Sequence, residues 1–113
     1  MNTPLLSDPV SRLRTTVLEV VAEIAGGHQD AVSSTPKLMR PKRAGQGDYA
    51  TNAAMLLAPV LGQPPREMAA QLGQALAGAL GHALVGHEIA GPGFLNLVLS
   101  DSWHIAALRH VLD

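Results

Sequence analysis

The segment from Gly86 to Leu99, GHEIAGPGFLNLVL, constrains the fold most, because it joins a turn signal to a strand with two different faces. Side chains alternate across a strand, so one face, here called the leucine face, carries Leu95, Leu97 and Leu99. We predict that the leucine face is buried. Gly91-Pro92-Gly93 predicts a type II turn with Pro92 and Gly93 at its centre. The strand should therefore pair antiparallel with a preceding strand over residues 84–90.

The opposite face of this strand, here called the outer face, carries Phe94, Asn96 and Val98. Phe94 is the chain's one phenylalanine, and an aromatic ring beside an amide can stack on a nucleobase and hydrogen-bond its edge. A half-buried strand covered by a helix explains the same residues. The pattern alone leaves both interpretations open.

Composition limits the classes of protein to consider. A length of 113 residues with 47% hydrophobic and 15% charged residues predicts one folded domain, residues 1–113, and the 3% aromatic content predicts an aliphatic core. The absence of cysteine excludes disulfides, thiolate metal sites and cysteine nucleophiles. The first residues do not resemble a signal peptide, and the longest apolar run, Ala53 to Leu61, is too short to span a bilayer. We expect a cytoplasmic protein with no membrane partner.

Helical periodicity predicts four helices. The first begins at Ser7 or Asp8 and ends at Gly26-Gly27. Its apolar stripe comprises Val10, Leu13, Val17, Val20 or Val21, and Ile24. Asp48 should cap a second helix over residues 49–61, with Pro59 kinking its end. A third follows Pro64-Pro65 and ends at Gly81, with a stripe formed by Met68, Leu72, Leu76 and Leu80; its internal glycines, Gly73 and Gly78, should permit close packing. Asp101 or Ser102 should cap the last, whose buried face should comprise Ile105, Leu108 and Leu112.

The remaining segments complete the predicted order. His28 to Pro36 should be a loop, Lys37 to Lys42 a short edge strand, and Gly45 to Gly47 a break. The order is then α-β-α-α-β-β-α. It predicts an α+β fold in which about four helices pack on one face of a small, mainly antiparallel sheet.

The net charge of −1 provides no overall attraction to nucleic acid, but the positive charges are unevenly placed. Four of the eight basic residues lie within seven positions that contain no acid: Lys37, Arg40, Lys42 and Arg43. Such a cluster can bind phosphate, and it can equally protect the edge of a sheet. Both roles stay open.

Several catalytic and cofactor motifs fail on their context. Gly45 to Ala50 fits G-x-G-x-x-A, but a basic segment precedes it and Asp48 stands where a pyrophosphate would sit, so we predict a plain turn. The five histidines lack metal-ligand spacing. No nucleophile motif or carboxylate pair occurs. The residues predict no catalysis, cofactor or metal in this domain.

Three segments together resemble a known family: GDYATNAAMLLA at 47–58, PPREMAAQL at 64–72 and EIAGPGFLNLVL at 88–99. Their order and spacing are similar to the N-terminal additional domain of arginyl-tRNA synthetase. The resemblance implies an α+β domain that binds the D-loop corner of arginine tRNA, with no DNA partner. It implies that Phe94 and Asn96 contact a D-loop base. Asp48, Tyr49 and Asn52 also match, but we expect structural roles for them.

The resemblance also implies a division of labour. No ATP-binding or adenylate-forming signature occurs, so this chain should not aminoacylate alone, and ATP with Mg belongs to a separate catalytic body of the synthetase. That body is the second implied partner if this chain is a domain of a larger synthetase; a free-standing homologue is the other interpretation that the sequence leaves open. The predicted tRNA-binding residues are Phe94, Asn96, Lys37, Arg40, Lys42 and Arg43. The alternative is a protein-docking domain that uses its alanine-rich helices.

Overall fold

The computed structural model describes residues 8–41 and 47–112. It is an α+β fold with four α-helices and one four-stranded antiparallel sheet. The elements are α1 (Pro9–Ala25), β1 (Leu38–Met39), β2 (Tyr49–Thr51), α2 (Ala53–Leu61), α3 (Pro65–Leu80), β3 (Leu84–Ala90), β4 (Phe94–Leu99) and α4 (Asp101–Leu112). Short 3-10 turns follow α1, over Gly26–Ala31, and α3, over Gly81–Ala83. The predicted fold class is confirmed.

Helix α1 matches its prediction. The Asp8 carboxylate accepts a hydrogen bond from the Ser11 backbone N–H at 2.6 Å, and Gly26 ends the helix with φ of 61°. The predicted stripe is buried at Leu13, Val17, Val20 and Val21. The segment from His28 was predicted as a loop, but the chain continues in a 3-10 turn to Ala31 before it opens out. Ser7, the alternative cap, lies outside the described residues.

The strand order across the sheet is β1-β2-β4-β3. Tyr49 pairs with Leu97 and Thr51 with Leu95, so the side chains of Tyr49 and Thr51 share the leucine face. Leu95, Leu97 and Leu99 are 0–4% exposed, which confirms the predicted core face. Helices α2 and α3 pack on β4, α3 also covers β3, and α1 lies on the helices. The core therefore lies between the leucine face and the helix layer.

The prediction that Asp48 caps a helix beginning at Tyr49 is wrong. Residues 49–51 form β2, in the interior of the sheet, and the helix begins at Ala53. Asp48 instead donates its N–H to the Leu97 carbonyl and accepts the Leu99 N–H on its carboxylate, both at 2.7 Å. Tertiary pairing, together with the β propensity of tyrosine and threonine, outweighs the helix signal of the alanines. Gly45 lies outside the described residues.

Two features explain how the chain enters β2 and leaves it for α2. Gly47 has φ of 94°, and a side chain there would meet the Leu97 carbonyl oxygen at 2.9 Å, so glycine is required. After the strand, the Thr51 hydroxyl accepts the Ala53 N–H at 3.2 Å. The Asn52 side chain accepts the Lys37 N–H at 2.8 Å. Asn52 thus joins the basic edge strand to the start of α2.

The buried stripe predicted for helix α3 is confirmed, and the two glycines of the helix have different surroundings. Met68, Leu72 and Leu76 are 0% exposed. A Cβ at Gly73 would lie 2.5 Å from Nδ1 of His87 on β3, so Gly73 permits close packing against a strand. A Cβ at Gly78 would meet nothing within 4 Å. The packing role predicted for Gly78 is therefore wrong.

The last hairpin and α4 depart from prediction in detail. Gly93 N–H bonds the Ala90 carbonyl at 3.3 Å, so Gly91 and Pro92 stand at the centre of the turn, one residue earlier than predicted. Ser100, not Asp101 or Ser102, caps α4, because its hydroxyl accepts the Trp103 N–H at 3.1 Å.

Helix α4 is also rotated relative to its predicted face. Ile105 and Leu108 are 52% and 58% exposed, and Trp103 packs on Tyr49 instead. The side chain of Leu112 lies outside the described residues. Within the part of the chain that the structure describes, no helix has the length and apolarity needed to cross a bilayer.

Candidate nucleic-acid interface

The outer face of the sheet carries a row of side chains that crosses all four strands. Strand register aligns Met39 of β1 with Ala50 of β2, Ala50 with Asn96 of β4, and Asn96 with Glu88 of β3. The small alanine beside Asn96 leaves a depression in the face. Phe94 and Ala90 form the next pair along β4 and β3.

A pocket of about 180 Å³, here called the sheet pocket, occupies this depression. Ala50 and Asn96 form its floor, and Met39 and Arg40 border it at the β1 side. Phe94 and Gly91 border it at the hairpin side. The lining combines apolar surface with the Asn96 amide and the Arg40 side chain, and a pocket of this composition can hold a flat, partly polar ligand.

Asn96 is the polar group of the pocket floor. It is only 4% exposed, yet its side-chain amide bonds to no other described residue. No polar side-chain atom in the described ranges is both fully buried and unsatisfied, so the amide keeps its remaining solvent contact through the pocket. A buried amide without a protein partner costs free energy unless a ligand or water satisfies it. Its donor and acceptor match the edge of a nucleobase.

Phe94 supplies the apolar wall of the pocket. It is half-buried at the start of β4, and a Cβ on Gly91 would touch its ring at 3.8 Å, so the turn lies along the ring. Val98, two residues beyond Asn96 on the same face, is 38% exposed and does not line the pocket. The structure therefore brings Phe94 and Asn96 together and leaves Val98 outside.

The basic run only partly reaches the pocket. Arg40 borders it, but its guanidinium carbon lies 4.8 Å from the centroid of the Tyr49 ring, which belongs to the leucine face. Lys37 is exposed and does not line the pocket. Lys42 and Arg43 lie outside the described residues. The edge strand predicted over residues 37–42 is confirmed at Leu38–Met39, where β1 pairs with β2 at the edge of the sheet.

Arg66, which the sequence patterns did not single out, does not line the pocket itself but bonds to Gly91, which does. Its Nη1 donates to the Gly91 carbonyl oxygen at 2.5 Å. A Cβ at Gly93 would lie 2.8 Å from Cβ of Pro65, so the turn also packs closely on the first turn of α3. No local sequence signal links residues 66 and 91, and only the tertiary fold brings them together.

Asp48, Tyr49 and Asn52 have structural roles, as expected. The Asp48 carboxylate also lies 3.3 Å from Nε2 of His104. Tyr49 is 8% exposed and makes an edge contact with the Trp103 ring, with centroids 5.8 Å apart. These contacts fix α4 against the sheet. Within residues 8–41 and 47–112, no group of three histidine, cysteine or acidic side chains could hold a metal ion.

Comparison with known proteins gives one consistent result. A family model described as the arginyl tRNA synthetase N terminal domain matches residues 11–99. An arginine–tRNA ligase of Roseobacter denitrificans is 39% identical over 106 residues, which cover 91% of this chain. One from Burkholderia lata is 42% identical over 103 residues, 89% of the chain. One from Bifidobacterium animalis subsp. lactis is 46% identical over 76 residues, 67% of the chain. The matched regions are only 12–18% of the relatives' own length.

Proposed function

The chain belongs to the arginyl-tRNA synthetase N-terminal domain family, and from this premise we propose that it is a tRNA-binding module whose sheet pocket accepts one base of the D-loop corner of arginine tRNA. Phe94 stacks on that base, and Asn96 hydrogen-bonds its edge. The observation that carries the proposal is the Asn96 amide, which is 4% exposed, has no partner among the described residues and lies beside the Phe94 ring.

The proposal assigns recognition and chemistry to different parts of a synthetase. Because the matched region is less than a fifth of each relative's length, we assign arginylation, with its ATP and Mg, to a separate catalytic body. This domain supplies tRNA contact and no catalytic group. A cytoplasmic location stays a prediction.

The electrostatics of the chain predict weak binding. A net charge of −1 with one basic cluster can neutralise only about two to four phosphates. A plot of the logarithm of affinity against the logarithm of salt concentration should therefore have a slope of about −1.5 to −3.5. A filter-binding series in 50–300 mM salt measures the slope, and a steep, tight complex would contradict this estimate.

NMR titration with an arginine tRNA tests the proposal. Amide shifts should cluster on residues 94–98 and 37–41, around the sheet pocket. Phe94→Ala and Asn96→Ala should each weaken binding by about 1 to 3 kcal/mol. Val98→Ala is the matched control, because Val98 shares the strand and the face but does not line the pocket. Equal losses in all three variants would contradict the base-binding role.

A docking role is the second candidate function, but the exposed residues that favour it lie on a different surface from the predicted one. Four of the eight alanines of α2 and α3 that would have formed the surface are buried, and only two are exposed, Ala70 and Ala79. Ile105 and Leu108 of α4 instead expose 52% and 58% of their area, which favours α4 as the contact. Shifts confined to α4 on addition of a synthetase catalytic body would support docking, whereas shifts at the pocket on addition of tRNA support the first proposal.

A further inference from the structure

A nucleotide whose base enters the sheet pocket would bring its phosphate to the outer face, where a cation at the rim could bind it. The predicted basic run supplies no guanidinium fixed at that place within the described residues. Arg40 borders the pocket, but its guanidinium lies over the Tyr49 ring, on the leucine side of β2. Lys37 is exposed and outside the lining.

Arg66 also lies outside the lining of the pocket, but it is bonded to a residue of that lining. Its Nη1 bonds the carbonyl oxygen of Gly91, a residue that borders the pocket, at 2.5 Å. The turn beneath it packs closely on Pro65, so the hairpin and the first turn of α3 hold each other in place. The Arg66 side chain is therefore anchored at the rim while the residue as a whole stays exposed.

The remaining N–H groups of Arg66 are available for a ligand. A guanidinium has five N–H donors, and the Gly91 carbonyl uses one of them. Among the described residues, no carboxylate forms an ion pair with Arg66. A planar cation with donors in a fixed fork matches the geometry of a phosphate.

We infer that Arg66 contacts a phosphate of the nucleotide bound in the sheet pocket, and that its bond to Gly91 positions it for that contact. This inference rests on the proposed function. It assigns the backbone contact at the hairpin side to α3, a helix that the sequence patterns did not link to RNA.

Salt dependence separates a phosphate contact from a purely structural role. Each phosphate contact adds about 0.7 to 0.9 to the slope of log affinity against log salt. Arg66→Gln should therefore lower the slope for an arginine tRNA transcript by that amount. Its affinity deficit relative to wild type should widen about five- to eightfold for each tenfold fall in salt. Arg66→Lys keeps the charge and should keep the wild-type slope.

Arg14→Gln is the matched control, because Arg14 is exposed on α1, which packs on the other helices, and within the described residues it has no bond to the hairpin turn that borders the pocket. It should leave the slope unchanged. An Arg66→Gln slope equal to wild type overturns the phosphate contact, even if affinity falls uniformly at every salt concentration.

Two further outcomes distinguish this inference from the proposed function. If Arg66→Gln lowers the slope but Phe94→Ala has no effect, the proposed base pocket is wrong and Arg66 contacts a phosphate elsewhere on the tRNA. If wild type does not bind the transcript, both fail.

Discussion

Asp48→Ala should weaken the fold by breaking a strand contact. The Asp48 carboxylate accepts the Leu99 N–H at 2.7 Å in a partly buried setting, and such a charged hydrogen bond contributes about 1.5 to 3 kcal/mol. Its contact with His104, at 3.3 Å and with the histidine side chain 42% exposed, adds only about 0.2 to 1 kcal/mol. We expect a total loss of about 2 to 3 kcal/mol, which lowers Tm by roughly 6 to 15 °C in a domain of this size.

Hydrogen exchange locates the effect of the same change. Exchange at the amide of Leu72 in α3 reports the change in global stability. In Asp48→Ala, the amide of Leu99 should accelerate by about ten- to a hundredfold more than the amide of Leu72. His104→Ala should cost less than about 1 kcal/mol. If the extra acceleration instead appears at Ala54 and Met55, in the first turn of α2, Asp48 acts as a helix cap and the strand role is refuted.

Two pairs of variants test the packing. Gly78→Ala should raise the free energy of unfolding by about 0.5 to 1 kcal/mol, because the new Cβ meets nothing within 4 Å. Gly73→Ala should raise it less or lower it, because the His87 ring must move. Urea melts of both variants, and of Gly73→Ala combined with His87→Ala, measure the difference, and equal gains in stability would contradict this expectation. Leu97→Ala should lower the free energy of unfolding by about 2 to 5 kcal/mol, because Leu97 is 0% exposed, and Phe94→Ala should lower it clearly less. An equal loss of stability in Phe94→Ala would contradict the proposed RNA contact.

The last hairpin was predictable because its pattern is local. Alternation over residues 94–99 has a period of two, and the Gly-Pro-Gly turn precedes it. Strand bounds, pairing and the buried leucine face were all obtained from these residues, and the structure confirms them. The helical stripes of α1 and α3 were predictable for the same reason.

Strand β2 was not predictable from its own residues. Three residues are too few to show alternation, and the alanines and leucines that follow extend a helical pattern back to Tyr49. The pairing of residues 49–51 with β4 depends on a segment more than 40 positions away. The family resemblance indicated the motif but not its conformation.

The candidate site, like the fold, was predictable only in part. Alternation placed Phe94 and Asn96 on one face, but the near-complete burial of Asn96 depends on neighbouring strands and the turn. Arg66 lies outside the lining and is linked to it by the bond to Gly91, a contact between residues 25 positions apart. The rotation of α4 depends on the contact between Trp103 and Tyr49, which no helical periodicity encodes.

Discrimination among D-loop bases tests the central claim most directly. A panel of arginine tRNAs that differ at single D-loop bases should reveal one position at which wild type discriminates by about 1 to 3 kcal/mol, or about five- to 150-fold. Asn96→Ala should abolish that preference, whereas Val98→Ala should preserve it. If Asn96→Ala weakens every tRNA equally and leaves the preference intact, the sheet pocket does not read a base.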